Sequence, residues 1–341
     1  MPTFFVTGGA GFIGSAFVKL VLDECPDTEL INYDALTYAG NLDNLAGLGS
    51  TRHRFIHGDI TDRNAVLDAL PRSCDAIVNF AAESHVDRSI SSAGEFLRTN
   101  VIGTQVLLDV ARERDVRRFV HISTDEVMGS LPEDDSSYFN EQSAFAPNSP
   151  YAASKAAAEH LVRAATHTFG LNTIVTRCGN NYGPRQFPEK FLPLMISNAL
   201  NDEAIPIYGD GRNVRDWIYV DDHCRAILAA LKRGQPGAVY NVGARNERRN
   251  IDVVESVLAA LDKPKSLMKF VKDRPGHDRR YAIDPSLIES ELGWRPEETW
   301  ESGLRKTIDW YRENTVWLER ARSGAYREYY RKQYGSEGAG S

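Results

Sequence analysis

Short apolar, β-prone runs separated by longer stretches at helical spacing recur through the first half of the chain. The first run, Thr3 to Thr7, passes through Gly8-Gly-Ala-Gly11-Phe-Ile-Gly14 into an amphipathic stretch from Ser15 to Leu22. Runs at Glu29 to Tyr33, Arg54 to His57, Ala76 to Ala82 and Arg118 to Ile122 follow, and the alternation continues to Cys178. The run from Ala76 to Ala82 is too apolar to be half exposed, as in a strand covered on both faces. The pattern therefore predicts an α/β fold, a doubly wound parallel Rossmann sheet. Each run ends in polar residues, and in open α/β sheets ligands bind beyond the carboxyl ends of the strands.

After Cys178 the pattern changes. Gly179 to Lys190 is polar and turn-rich, an apolar helical run follows to Leu200, and Trp217 to Asp221 reads as a strand feeding a helix around Ala226 to Leu231. This predicts a Rossmann domain over 1–179, with 214–235 returning to it. A smaller C-terminal α/β substrate lobe takes 180–341, with a helical tail from Trp310 to Tyr334 that frays into Gly335 to Ser341. No internal repeat is visible.

The first strand, glycine loop and helix form a phosphate cradle. Gly8 permits the tight turn, Gly11 lets backbone amides approach a pyrophosphate at the helix N-terminus, and Gly14 allows close packing. A lone glycine pattern is weak, but here the second strand ends in Asp34, twenty residues beyond Gly14, where a carboxylate can take the adenosine ribose hydroxyls. Its charge would repel a 2'-phosphate, and Ala35, Leu36 and Thr37 supply no arginine, so NAD is expected over NADP. Asp59 and Ile60, after the third strand, are placed for an adenine edge.

The fifth run leads into Ser123-Thr124-Asp125-Glu126-Val127, and Tyr151-Ala-Ala-Ser-Lys155 follows the helix-start signal Asn148-Ser-Pro150. A Tyr-x-x-x-Lys match arises by chance roughly once in a chain of this size, and an Asp-Glu pair is usually solvated surface. Charged residues directly after an apolar strand are costly unless they face a cleft or are paired, which favours a site. Two carboxylates there fit an acid and a base, and Lys155, on the helix face of Tyr151, can favour a phenolate. Alternation along a strand end would put Met128 on the side of Glu126.

Composition narrows the function class. A chain of 341 residues with 42% hydrophobic content supports a large core. Acidic residues outnumber basic ones 47 to 40, and no basic arm marks a nucleic-acid surface. The N-terminus enters a strand without a signal segment, so a cytoplasmic protein with no membrane partner is expected. Cys25, Cys74, Cys178 and Cys224 lack Cys-x-x-Cys spacing and the eight histidines lack His-Glu-x-x-His spacing, so no metal is expected. Basic residues gather in the second half; among them Arg215 and Arg274 lie in turns that could face a nucleotide diphosphate.

Thr7 to Gly14, Phe80 to Ile90, Ser123 to Val127, Pro147 to Lys155, Arg177 to Lys190, Tyr208 to Trp217 and Arg274 to Arg280 together resemble the nucleotide-sugar 4,6-dehydratases of the extended short-chain dehydrogenase/reductase superfamily. The resemblance covers nearly the whole chain and is closest to the dTDP-glucose 4,6-dehydratase family. Related sugar epimerases and decarboxylases share the glycine loop and Tyr-Lys pair but lack the Asp-Glu pair. The chain departs from the family pattern at Met128, where tyrosine is usual, and the expected consequence is altered pocket packing with chemistry retained.

The resemblance implies a lyase of deoxysugar biosynthesis that uses NAD to turn dTDP-glucose into a 4-keto-6-deoxy sugar. Tyr151, Lys155 and Thr124 would serve oxidation at carbon 4, Glu126 would remove the carbon 5 proton, and Asp125 would protonate the departing 6-hydroxyl. It also implies that Phe12, Ile13, Asp34 to Thr37, Asp59, Ile60, Ala81, Ala82, Ser84, Thr99 and Asn181 line the NAD site. His85, Thr124, Asn180, Lys190, Phe191, Pro206, Ile207, Tyr208, Arg215, Asn250, Arg274 and His277 would hold the nucleotide sugar. It further implies a homodimer through roughly Val101 to Arg112 and Tyr151 to Phe169. A dehydratase, epimerase or decarboxylase acting on a UDP or GDP sugar and a non-catalytic NAD-binding regulator remain the alternatives; an epimerase needs no Asp125-Glu126 pair and a regulator no Tyr151-Lys155 pair.

Overall fold

The computed structural model describes residues 1–49, 51–133 and 136–323, so the tail expected beyond 323 lies outside the described residues. In chain order the strands are β1 (Thr3–Thr7), β2 (Glu29–Asp34), β3 (His53–His57), β4 (Ala76–Asn79), β5 (Arg118–Thr124) and β6 (Thr173–Cys178), then β7 (Asn180–Tyr182), β8 (Ile205–Tyr208), β9 (Val214–Tyr219), β10 (Val239–Val242), β11 (Glu247–Arg249) and β12 (Met268–Val271). Seven of them form one sheet in the order β10-β6-β5-β4-β1-β2-β3, with every pairing parallel. β1, β4 and β6 are buried along their whole length, because helices cover both faces of the sheet.

On one face lie α1 (Phe12–Glu24) and α8 (Val220–Arg233), whose apolar sides share a core with Val6, Val78 and Val120. On the other lie α2 (Arg63–Ala69), α5 (Thr104–Glu113) and α6 (Pro150–Phe169), packed on Phe5, Ile77 and Phe119. The short helices α3 (Val86–Ser91) and α4 (Ala93–Phe96) lead into α5 through wide turns over Leu97–Gly103. Sequence signals place α6 well. The Ser149 side chain accepts from the Ala152 amide, Pro150 occupies the first turn, and Gly170 closes the helix at a left-handed φ of 70°.

The second lobe holds a three-stranded sheet, β11-β9-β7, and a parallel pair, β12-β8. Around them pack α7 (Phe191–Leu200), α9 (Asn250–Ala260), α11 (Trp300–Glu313) and α12 (Thr315–Ala321), while α10 (Ser286–Leu292) packs against α8 and β10. The chain crosses between lobes more than once. The strand read at Trp217 to Asp221 belongs to the small sheet, the helix after it covers the large one, and Val239–Val242 adds the large sheet's seventh strand beside β6.

Candidate active site

Strand order reverses between β1 and β4, and the cleft lies over the carboxyl ends of the strands there, as open parallel sheets require. One continuous cleft joins the glycine loop at one end to Thr124, Asp125, Glu126, Tyr151 and Lys155 at the other.

At the glycine end the backbone is shaped by contact. Gly8 has a φ of +71°, and a Cβ there would lie 2.6 Å from the Ala81 nitrogen, while one at Gly14 would lie 2.2 Å from the Gly8 oxygen. The start of α1 has Gly11 as its cap, with no capping side chain and no acidic residue in its first turn, so its amides remain free for a phosphate. Asp34 faces the same cleft and is oriented by two amides, from Ala10 at 2.9 Å and Leu36 at 2.8 Å. Burial raises its pKa, and those amides counter the rise. An adenine dinucleotide fits this donor set. Gly8, Gly11, Phe12, Ile13, Gly14, Asp34, Ala35, Thr37, Asp59, Ile60, Ala81, Ala82, Ser84, Thr99 and Asn181 all line the cleft. Leu36 is not among the lining residues; it sits at a φ of 49° and presents its amide to Asp34.

At the other end the Thr124 hydroxyl accepts from the Glu126 amide at 3.2 Å and caps a tight turn over Asp125–Met128. Asp125 is buried, and one of its carboxylate oxygens has no hydrogen-bond partner. Burial, and next the Glu126 charge, push its pKa well above the carboxylate range. Glu126 is raised by burial as well, but Arg274, Arg215 and Lys190 pull it back. The adjacent carboxyls are thus driven apart, the buried one toward the acid form and the cation-facing one toward the base.

Tyr151 differs from the expectation. Its phenol is raised well above its ordinary value by burial and then by Glu126, Cys178 and Asp125, with only a hydrogen bond from Thr124 opposing them. Lys155 donates to the Ile122 carbonyl at 2.6 Å, and burial lowers its pKa to about 8. Helix spacing brings the lysine to the site, yet in the protein alone burial and the neighbouring acids keep the phenol neutral.

Met128 is also placed differently. The turn capped by Thr124 ends the strand's alternation, and Met128, 2% exposed, points away from the cleft into a small core with Val127, Ala156 and Ile283. Its sulfur lies 3.7 Å from Arg177 Nη1, and Arg177 is paired with Glu159 at 2.9 Å.

Among the substrate candidates, Thr124, Asn180 and Lys190 line the cleft. The others sit around it on the second lobe and the loop before α3. His85 is buried against the Glu189 carbonyl. Asp87 accepts from the Tyr208 hydroxyl at 3.1 Å and pairs with Arg274 at 3.2 Å. Arg215 is buried over the Tyr281 ring and donates to the Asp278 carbonyl. His277 pairs with Asp273, Asn250 starts α9, and Pro206 is buried on β8. Ile207 points into the lobe core, against which Phe191 also packs. Among the described residues no group of three His, Cys, Asp or Glu side chains is placed to hold a metal.

Sequence reasoning missed several lining residues, including Gly40, Cys178, Gln186 and Phe187. It also passed over Asn79 and His121, two polar residues in apolar strands, which is itself a signal because buried polar groups require partners.

The chain matches the family described as GDP-mannose 4,6 dehydratase over residues 5–307. It is 51% identical to dTDP-glucose 4,6-dehydratase of Xanthomonas campestris pv. campestris (strain B100), over 96% of this chain and 98% of that one. The crystal structure of DesIV, a dTDP-glucose 4,6-dehydratase from Streptomyces venezuelae with NAD and a dTDP ligand bound, is similar with a TM-score of 0.91 at 49% identity, covering 94% of this chain and 99% of that one. The UDP-glucose 4-epimerase of Thermus thermophilus, in complex with NAD, is similar with a TM-score of 0.85 at 30% identity, covering 92% of this chain and 99% of that one.

Proposed function

This chain belongs to the dTDP-glucose 4,6-dehydratases, within the family described as GDP-mannose 4,6 dehydratase, and from that premise we propose the roles its residues take. It is a NAD-dependent hydro-lyase that converts dTDP-glucose into dTDP-4-keto-6-deoxyglucose. The observation that carries the assignment of roles is the opposed environment of Asp125 and Glu126 in one cleft with Tyr151 and Lys155.

NAD, when bound, accepts a hydride from carbon 4 of the sugar and returns one to carbon 6. Gly8 to Gly14 and Asp34 hold its pyrophosphate and ribose. Tyr151, as the phenolate left when its own proton is lost to solvent, takes the proton of the 4-hydroxyl, and the Thr124 hydroxyl orients that oxygen. The 4-ketone acidifies the carbon 5 proton, which Glu126 removes, while Asp125 gives its proton to the departing 6-hydroxyl as water leaves. When hydride reaches carbon 6, carbon 5 takes a proton back from Glu126, and the proton held by Tyr151 passes through solvent to restore Asp125. Lys190, Arg215 and Arg274, the cations acting on Glu126, supply charge toward the diphosphate.

Two experiments test this reading. Incubation with dTDP-glucose yields a 4-keto-6-deoxy product lighter by one water, and denaturing the protein releases NAD; absence of that product, or release of mainly NADP, would refute it. Met128→Tyr lowers stability by about 1–3 kcal/mol through overpacking but leaves the ratio of rates on dTDP-, UDP- and GDP-glucose unchanged, because the side chain lies behind the cleft; a changed ratio would put Met128 in sugar selection.

The active unit is a homodimer. Leu97, Ile102 and Phe169 are 52%, 56% and 54% exposed on the helical segments that flank the sheet, and large exposed apolar side chains there support association through those helices. Light scattering is expected to give twice the chain mass of 38.1 kDa; a monomer at working concentration would refute it. No helix among the described residues is long and apolar enough to cross a membrane. We place the reaction in the cytoplasm, and recovery of the activity only from a membrane or exported fraction would contradict that.

A further inference from the structure

Three buried polar side chains stand side by side across β1, β4 and β5. Thr7 of β1 is in register with Asn79 of β4, and Asn79 with His121 of β5. All three are buried, at 0%, 1% and 1% exposure. Their hydrogen bonds run in one sense. The Thr7 hydroxyl accepts from the Ala81 amide and gives its proton to Asn79 Oδ1 at 2.6 Å. Asn79 Nδ2 is thereby left as the donor, 3.5 Å from Thr104 Oγ1, whose own proton goes to the Asn100 carbonyl. The same nitrogen lies 3.3 Å from His121 Nδ1. A ring that accepts at Nδ1 carries its proton on Nε2 when neutral, and Nε2 lies 3.4 Å from Lys155 Nζ.

We propose that His121 is a positioning residue for Lys155: Thr7 and Asn79 hold its ring with the Nε2 proton facing the lysine nitrogen, and this N–H opposes the ammonium form. The inference rests on the reading that Tyr151 and Lys155 act at carbon 4. Lys155 otherwise faces the Ile122 carbonyl of β5, Cys178 of β6, and Glu159 of its own helix, which is already engaged by Arg177. A pair of donors meeting at Nζ favours the neutral amine, in line with the lowered pKa of Lys155, about 8, and the strongly lowered one of His121. A lysine tuned in this way changes charge near working pH, and the alkaline limb of cofactor reduction by the sugar follows it.

Nitrogen NMR of the imidazole rings in the NAD-loaded protein is expected to show His121 neutral and protonated at Nε2. Carbon NMR at lysine Cε is expected to show Lys155 titrating near about 8. His121→Met removes the opposing N–H and moves that midpoint, and the alkaline limb of single-turnover cofactor reduction, upward by about one pH unit. His121→Gln, whose amide nitrogen reaches the place of Nε2, restores both. A proton found on Nδ1, or a Met variant that titrates as the wild type does, overturns the inference. Failure of the wild type to form the 4-keto product would instead overturn the functional reading, and the resonances would report on His121 all the same.

Discussion

Tyr151→Phe is expected to abolish oxidation at carbon 4, with single-turnover formation of reduced nicotinamide falling by about 10²–10⁴-fold, the usual worth of a positioned base. In the protein alone the phenol is buried and held neutral by its acidic neighbours, so it must first lose its own proton to solvent, and as the phenolate it takes the sugar's hydroxyl proton. Phenylalanine keeps the ring, which packs edge-on to Phe96 at 6.3 Å, so folding and cofactor content are retained. Absorbance of reduced nicotinamide after mixing with dTDP-glucose measures the step. A Phe variant that still reduces the cofactor at the wild-type rate would take Tyr151 out of it.

Asp125→Asn separates the steps. Reduction of the cofactor by the sugar is expected to proceed, while water loss slows by on the order of a hundredfold or more, so that reduced nicotinamide accumulates. The sign of the pH dependence follows from the environment. Burial and the Glu126 charge raise the pKa of Asp125, so its acid form is fully present below that raised value and is lost as pH rises through it. Glu126 acts in its ionised form, which is lost as pH falls through its own, less raised, value. The rate of elimination is therefore bell-shaped in the wild type, and the asparagine variant loses the alkaline limb set by Asp125. Full turnover by Asp125→Asn would remove that carboxyl from the chemistry.

The contrast between these carboxyls could not be read from the chain. Asp125 and Glu126 are adjacent in sequence, yet the turn capped by Thr124 buries one and leaves the other facing Lys190, Arg215 and Arg274, which come from residues far along the chain. Met128 was misplaced for the same reason. β5 runs to Thr124, two residues past the apolar run, and there the Thr124 side chain caps a tight turn, so strand alternation does not carry on to Met128.

The sequence by itself determined the elements whose causes are local. Unbroken apolar runs made the parallel strands, Ser149, Pro150 and Gly170 bounded α6, and the glycine spacing made the cradle. The cofactor candidates other than Leu36 fell on one cleft because they follow strand ends, and a parallel sheet gathers those ends on one edge. The substrate candidates depend on where loops of the second lobe come to rest against Asp87 and Glu189, contacts between residues more than a hundred positions apart. Likewise Asn79 and His121 are 42 residues apart and meet only because β4 and β5 pair in register. Local propensity and period act over a few residues, so they decide which strands and turns form; which polar groups share a buried site, and therefore which proton each one holds, is decided by packing over the whole chain.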